Sequence, residues 1–510
     1  MDFEKLKNIL DSISSVRIAV IGDFCLDAYW FIDDTKSEIS IETGQKTHPV
    51  AGQRYSLGGA GNVTANLAAL GAGEVHAFGV IGDDLWGGEM KKIMSASGIR
   101  SENLIAQQNG WMTHTYAKPY IGDTELSRVD FGNMNVLSEE TGNLLLENLE
   151  KALPGLDLVI INQQVPSGIH TESFRKKLLS VIAKHADKLF ITDSRNYNDF
   201  FDGSLRKMND NEALRLCGIK KEPDDTISFA ELEPAARDLF ARYGKPLFIT
   251  RGSRGSMIID SDGIVQIPGL QILGKVDTVG AGDSYLAGAA SALAAGFGME
   301  DAAYMGTFVA GVTVQKLFQT GTASPAEILS IGKDPDFNYN NDLASDLQLA
   351  KHLTDTDIEI INRWSVRPNI GYAIFDYDGT ISTLREGREK IMSPVMVKAV
   401  LGEKHKSADP ALLEKVNERV QDYIDKTTGI QTLVQMHGLI GIIREFGFVP
   451  ENKILVAAGY KKIYNDELLK MVHDREKKFL SGELTIDDFT ICRSVDFLEF
   501  LYESGIKLYL

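Results

Sequence analysis

Through its first two thirds the chain alternates short apolar runs with stretches whose apolar residues recur every three or four positions. VRIAVIGD from Val16, EVHAFGVIGDD from Glu74, LDLVIINQQ from Leu156, KLFITDS from Lys188, KPLFITRGSRG from Lys245 and SMIIDSD from Ser256 have strand length and end at turn signals. NVTANLAALGA from Asn62 and TESFRKKLLSVIAKHA from Thr171 carry helical spacing between them. Strands that are apolar throughout, joined by helical crossovers, predict an α/β fold with a mostly parallel sheet covered on both faces. Two segments break the pattern. Residues Phe31 to Tyr55 are polar and partly alternating, and THTYAKPYIGDTELSRVDF from Thr113 alternates again. They predict a small antiparallel sheet beside the main one, either a lid or an ordinary hairpin extension.

Near Lys333 the chain changes character. KDPDFNYNNDLASDLQ is polar and turn-rich, and DTDIEIINRW after it has a helical pattern. The expected division is a first domain over 1–335, a linker over 336–368 and a further unit over 369–510. That unit opens with YAIFDYDGTIS, an apolar strand running into Asp376 and Asp378. PALLEKVNERVQDYIDK then places Leu413, Val416, Val420 and Tyr423 on one helical face, with QTLVQMHGLIGIIREFGF a second helix.

At 510 residues the chain exceeds what one hydrophobic core serves, and 44% hydrophobic with 24% charged residues is ordinary globular material. Cys25, Cys217 and Cys492 are too scattered for a disulfide framework or a cysteine metal site, which makes a reducing cytoplasm the default compartment. No apolar run reaches the roughly 18 residues of a membrane span. The net charge of −18 argues against nucleic acid as a partner, because binding it needs a basic footprint. An anionic small molecule held by a basic pocket or a cation is still admitted.

The chemistry concentrates in KVDTVGAGDSYLAGAA from Lys275. Gly280, Ala281 and Gly282 would let backbone N–H groups approach an anion at a helix start. Asp283 is placed to accept a proton from an attacking hydroxyl, or else to cap the helix. Asp277 reads as an orienting residue or one linked to a cation.

DTVGAGDSYLAG, with LGGAGNVTANLAALGA from Leu57, RGSRG from Arg251 and KMNDNE from Lys207, resembles in content and order the ribokinase-like (PfkB) carbohydrate kinases. The resemblance implies a three-layer α/β sandwich with a small lid and an ATP- and Mg²⁺-dependent phosphotransferase. It makes Asp283 the catalytic base, Gly280, Ala281 and Gly282 the anion hole, and Asn209 and Glu212 organisers of Mg²⁺ acting indirectly. Met208 stands where the family usually has proline. Thr250, Gly252 and Gly255 match the nucleotide side, to which Asp277 also belongs. Asp27, Gly58, Gly59 and Asn62 match the sugar side.

GDFCLDAYW from Gly22, the GGAGNV variant and ELSRVDF from Glu125 are most similar to the branch that phosphorylates the anomeric hydroxyl of D-glycero-D-manno-heptose 7-phosphate. On that reading Lys118 or Arg128 holds the phosphate already on the sugar. A kinase for another sugar or a nucleoside, and a non-catalytic carbohydrate-binding regulator or scaffold, are the alternatives. Many relatives pair the small sheet across a homodimer, which is the expected assembly.

FDYDGT from Phe375 resembles the first motif of haloacid-dehalogenase-like (HAD) phosphatases, with Asp376 the nucleophile, Asp378 the acid/base, and both beside Mg²⁺. The helices over about 385–490 resemble that family's cap. VDFLEFLYESGIKLYL has the helix and strand that lead to the second motif, but the chain stops before it. The expectation is an incomplete HAD-like Rossmannoid domain without phosphatase activity of its own, completed by a longer chain or by a partner, with a purely structural remnant as the alternative.

Overall fold

The computed structural model describes residues 1–510 apart from 123, 223–224, 318, 340–341, 343–349, 357, 361–368 and 386. The chain enters through α1 (Phe3–Ile13), whose Leu6, Ile9, Leu10 and Ile13 lie on one buried face. β1 (Arg17–Gly22) leads through the single residue Asp23 into β2 (Phe24–Ile32), and β3 (Val50–Gly59) returns beside it. Then come α2 (Ala60–Ala69), β4 (Glu74–Gly82), α3 (Leu85–Ala96), β5 (Arg100–Gln107), β6 (His114–Ile121), β7 (Thr124–Glu125) and β8 (Val129–Phe131). The path continues with α4 (Glu139–Ala152), β9 (Leu158–Gln163), α5 (Glu172–Lys184), β10 (Leu189–Ser194), β11 (Leu205–Asn209), α6 (Asp210–Leu216), α7 (Phe229–Tyr243) and β12 (Leu247–Thr250). β13 (Ser256–Asp260), β14 (Gly263–Ile267), β15 (Gly269–Leu270), α8 (Ala281–Ala294), α9 (Met299–Thr313), α10 (Pro325–Gly332) and β16 (Phe337–Asn338) complete the elements of a first compact unit, Met1–Glu359.

The main sheet has the order β14-β13-β12-β11-β10-β9-β1-β4-β5. From β12 to β5 neighbours run parallel, and β13 and β14 add an antiparallel edge. One face packs Ile18, Val20 and Ile160 against Leu67, Leu286 and Phe308 of α2, α8 and α9. The other packs Ile161 and Phe190 against Leu149 and Leu178 of α4 and α5. Each such side chain, fully withdrawn from water, contributes about 1.5–3 kcal/mol. Both-sided burial explains why these strands read as continuous apolar runs.

The second sheet corrects the sequence expectation. Its order is β3-β2-β6-β7, with β8 also on β6, and it is mixed rather than antiparallel, because β2 and β6 run parallel. A parallel pair needs a long crossover, and the excursion through β3, α2, β4, α3 and β5 supplies it. The polar middle of the Phe31 to Tyr55 segment is turn and loop, with strand only at its ends.

Asp23 ties the two sheets together. Its carboxylate accepts hydrogen bonds from the backbone N–H groups of Gln164 (2.9 Å), Val165 (3.1 Å) and Ile169 (2.9 Å). Much of the segment read as a linker, 336–368, lies outside the described residues. Its described start belongs to the first unit: β16 pairs with β15, and Asp342 accepts at 2.7 Å from Arg251, a fully buried guanidinium. The helix expected in DTDIEIINRW is partly outside the described residues. Where described, that stretch forms a turn and a bridge between His352 and Glu359.

The second unit, Ile360–Leu510, pairs β17 (Tyr372–Ile374) in parallel with β18 (Lys507–Tyr509). Between them lie α11 (Arg388–Leu401), α12 (Pro410–Lys426), α13 (Thr432–Phe446), α14 (Ala457–Leu480) and α15 (Ser494–Glu503). Val416, Val420, Met436, Leu439, Ile443 and Tyr460 form the heart of their core. Among the described residues no helix is long and apolar enough to cross a membrane.

Candidate active site

The glycine turn before α8 is shaped by close approach. Gly280 has φ +79°, and a Cβ there would lie 2.6 Å from Asn62 Nδ2 and 2.8 Å from Thr320 Cγ2, so a larger residue has neither the backbone conformation nor the room. Helix α8 starts at Ala281, which puts Asp283 in its first turn, and no side chain caps it. The Ala281 N–H is already bonded to Thr278 O (3.1 Å). Asp277 holds the turn from outside: its carboxylate accepts from Val279 N–H (3.0 Å), and its own N–H donates to Val314 O (2.7 Å).

Asp283 does not act as a cap. Its Oδ2 accepts from Asn62 Nδ2 at 3.1 Å, and Asn62 is itself fixed by Asn66, whose Nδ2 donates to Asn62 Oδ1 at 3.0 Å. Helix α2 therefore aims an amide at the carboxylate of α8. The Asp283 side chain is ringed by protein while keeping an opening to solvent. Burial, reinforced by the nearby Asp193 carboxylate, pushes its pKa up to about 7 against the opposing pull of Lys207 and Asn62.

Two residues that the sequence reading left aside sit beside it. Asp193 on β10 and Lys207 on β11 are register partners on adjacent parallel strands, and Lys207 Nζ lies 3.0 Å from Asp193 Oδ2, both side chains buried. A Cβ on Gly282 would fall 2.8 Å from that Nζ, so the ammonium lies against the turn. The available signal was a lysine in a strand flanked on both sides, where a charge needs a partner.

N-x-x-E forms a capping box at the start of α6. Asn209 Oδ1 accepts from Glu212 N–H (2.7 Å), and Glu212 Oε2 accepts from Asn209 N–H (2.9 Å). Burial and the Asp193 charge raise the Glu212 pKa. Thr250, at the end of β12, is the register partner of Asn209, and the turn Gly252–Arg254 follows, closed by Gly255. These residues share one end of the parallel strands, where open α/β sheets bind ligands.

Among the residues matched to the sugar side in sequence, Asp27 on β2 forms a buried ion pair with Lys118 on β6, 2.8 Å apart. Thr320 Oγ1 donates to Asp27 Oδ2 (3.2 Å) and shares a hydrogen bond with Ser56 Oγ (2.7 Å). Thr320 thus touches Asp27 with its hydroxyl and the Gly280 turn with its methyl, linking the two halves of the site. Neither it nor Ser56 stands out in sequence. Gly58 and Gly59 close β3 beside Asp27, a Cβ on Gly58 falling 3.1 Å from Asp27 Oδ2. Arg128 stands apart: it is bidentate to Asp130 (2.6 and 2.8 Å), lies over the Tyr116 ring and is half exposed.

In the second unit, β17 ends at Ile374, so Asp376 and Asp378 lie in the turn beyond the strand rather than on one of its faces. Asp376 is exposed, and Asp378 pairs with Arg385 at 2.9 Å. Among the described residues no group of three or more His, Cys, Asp or Glu is arranged to hold a metal ion.

Residues 17–327 match the family described as pfkB family carbohydrate kinase. The bifunctional protein HldE of Trichlorobacter lovleyi is 29% identical over 335 residues, covering 65% of this chain and 65% of that protein. HldE of Desulfatibacillum aliphaticivorans is 28% identical over 392 residues, 76% of each. The chain thus spans only 65% of the length of the first of these curated relatives. Among solved structures, Arabidopsis thaliana ribokinase complexed with ribose and ATP aligns with a TM-score of 0.50 and 18% identity over 62% of this chain and 99% of that one. Escherichia coli phosphofructokinase-2 in complex with substrates and products gives 0.50 and 18% over 62% and 98%. At such identities the likeness speaks for the fold alone: a ribokinase-like α/β sandwich in the first unit.

Proposed function

Since this chain belongs to the pfkB family of carbohydrate kinases, we propose that it moves the γ-phosphoryl group of ATP to a sugar phosphate, with Asp283 as general base. The acceptor we infer is D-glycero-D-manno-heptose 7-phosphate, at its anomeric hydroxyl. One observation carries the kinase mechanism: the Asp283 carboxylate, with a pKa near 7, is held by Asn62 in the first turn of a helix that starts at a glycine. A base poised near neutrality serves proton removal best. The acceptor oxygen forms a bond to the γ-phosphorus as the bond to the β–γ bridging oxygen breaks. The acceptor proton passes to Asp283, and the electron pair of the broken bond leaves with ADP.

Asn209 and Thr250, side by side at the strand ends, would face the phosphates, with Gly252 and Gly255 shaping the turn beneath them and Asp277 bracing the glycine turn. Gly280, Ala281 and Gly282 would form the anion-binding backbone, with the Ala281 amide already given to Thr278 and those of Gly280 and Gly282 left for the anion. Three carboxylates, Asp193, Glu212 and Asp283, outnumber the one ammonium of Lys207; they are not arranged as a metal-binding group, so a divalent cation there would rely on water and phosphate oxygens, as Mg²⁺ does in phosphoryl-transfer sites. Asn209 and Glu212 would hold Mg²⁺ through water, and it would offset charge on the phosphates.

Asp27, Gly58, Gly59 and Asn62 would receive the sugar. The heptose reading draws on GDFCLDAYW, GGAGNV and ELSRVDF, with Lys118 or Arg128 as the phosphate anchor. A second reading has its own observation: both cations are already paired, with Asp27 and Asp130, which favours an acceptor carrying no phosphate. Phosphorylation of a panel of heptose 7-phosphate, ribose, fructose and fructose phosphates, read by mass spectrometry, tests both. Selective conversion of heptose 7-phosphate to a bisphosphate is expected. Turnover of free sugars alone would move the acceptor to the second reading, and silence of the folded protein across the panel would leave a carbohydrate-binding role.

We read the second unit as HAD-like on FDYDGT following a strand paired in parallel with β18, with Asp376 the nucleophile candidate and Asp378 the acid/base candidate. Among the described residues no further acidic side chain joins Asp376 and Asp378 as a metal-binding group, so phosphate release from sugar bisphosphates by this chain alone is expected to be absent. A homodimer joined through the small sheet is the proposed assembly, to be checked by sedimentation.

A further inference from the structure

Lys207 is a buried cation whose needs the folded chain meets only in part. An ammonium has three N–H donors, and among the described residues Asp193 Oδ2 is the one hydrogen-bond partner recorded for it, at 3.0 Å. Buried donors without acceptors are costly, and a buried charge more so, unless something arrives to complete them. The position of the ammonium says what would arrive. Nζ lies against Gly282, 2.8 Å from where a Cβ would be, one residue before Asp283 in the first turn of α8. The surrounding side chains are acids or are already engaged: Asp193 on the neighbouring strand, Glu212 in its capping box, and Asp283 held by Asn62.

We propose that Lys207 is a catalytic residue that contacts the transferring phosphoryl group, and that Asp193 is a positioning residue which holds the ammonium at Gly282. The inference rests on the kinase reading and extends it to residues outside the glycine turn. Phosphoryl transfer draws its rate from placing positive charge where negative charge spreads, over the equatorial oxygens of the moving group. Lys207 reaches that point from the sheet, opposite the amides of α8. Its remaining donors can turn to phosphoryl oxygens while Asp193 keeps the third, so the cation does not have to leave its partner. The register pairing of Asp193 with Lys207 fixes the stem, so that little side-chain freedom remains to be lost when the nucleotide binds.

The test compares ATP and ADP, which differ by the group Lys207 is said to touch. Calorimetry on the full chain with Lys207→Met should show ATP binding weakened about tenfold and ADP binding changed less than about twofold. With any acceptor that turns over, kcat should fall roughly 10²- to 10³-fold with little change in acceptor KM. Because Lys207→Met leaves Asp193 buried and unpaired, the double variant Lys207→Met/Asp193→Asn provides a neutral, nearly isosteric site, and should show the same loss of ATP over ADP in folded protein. Equal losses for both nucleotides, or a folded double variant keeping the wild-type ratio and kcat, would overturn the role of Lys207 and leave the kinase reading standing. Failure of the wild-type protein to bind ATP would overturn the kinase reading, and this inference with it.

Discussion

Asn62 and Asp283 meet across two helices through a single 3.1 Å hydrogen bond, and that bond gives a carboxylate with a pKa near 7 one fixed orientation. Asn62 cannot swing away, because Asn66 one turn along α2 holds its carbonyl oxygen. Replacing Asp283 by Asn keeps the shape and removes the base, so kcat should fall by about 10²- to 10⁴-fold while ATP affinity is largely kept. Steady-state kinetics with calorimetry decide it.

The pH dependence of activity follows from the same group. With its pKa at about 7, Asp283 is protonated in acid and unable to accept the acceptor proton. The rate at limiting acceptor should rise with unit slope up to about pH 7 and then level off. A profile flat from pH 5 to 8 would count against Asp283 as the base.

Stability carries the opposite sign. The folded protein holds the Asp283 proton to about pH 7 where the ordinary carboxyl value is 3.8, so between those values the folded state binds more protons than the unfolded one. Its contribution is fully present below about pH 4, declines as pH rises toward 7 and stays lost above. Asp283→Asn removes that loss. Its Tm should exceed that of the wild type by a few degrees, of order 2–5 °C, at pH 8 and match it near pH 4. A variant less stable than wild type at pH 8 would show that the charge is better accommodated than its burial implies.

Lys118 and Asp27 form a pair that should be broken on both sides or neither. Lys118→Met leaves Asp27 buried and unpaired, and the expected cost is about 3–5 kcal/mol in chemical denaturation of the first unit. Adding Asp27→Asn should recover most of that stability without restoring acceptor binding. If the single variant is as stable as wild type, the ion pair is not formed in solution.

Arg251 makes the first unit depend on chain beyond residue 335. Its guanidinium is buried and its charge is met by Asp342 at 2.7 Å. Asp342→Asn should cost about 3 kcal/mol. A chain ending at residue 335 should melt well below one ending at 359, as judged by circular dichroism. Equal melting would mean the polypeptide after α10 contributes nothing to the fold.

The main sheet was legible because its strands are buried on both faces and so read as uninterrupted apolar runs, VRIAVIG and LVIIN among them. The glycine turn was legible because Gly280 answers a backbone requirement that other residues meet poorly. What was not legible depends on partners distant in sequence. β2 and β6 lie side by side only after the intervening crossover is built, and an alternating pattern does not say which way a neighbour runs. Asp193 and Lys207 were each visible as a charge near an apolar run. That they face one another is a property of strand register, which neither segment contains alone. The Asn209 and Glu212 motif was read for its metal chemistry, yet its side chains first satisfy the open amides of a helix start.

Asp23, with its carboxylate gripped by three backbone amides, separates the strand that anchors the main sheet from the strand that carries the small one. Mechanically this is a clamped fulcrum with a lever beyond it. At about 3.3 Å per residue, Asp27 sits roughly 13 Å from the pivot and Ile32 roughly 30 Å. A 10° rocking of the small sheet would therefore sweep its tip through about 5 Å but carry Asp27 through only about 2 Å. Asp27 occupies the short arm, yet a shift of about 2 Å exceeds what a productive geometry tolerates, so Asp27 would be in register with Asp283 at one setting of the small sheet only.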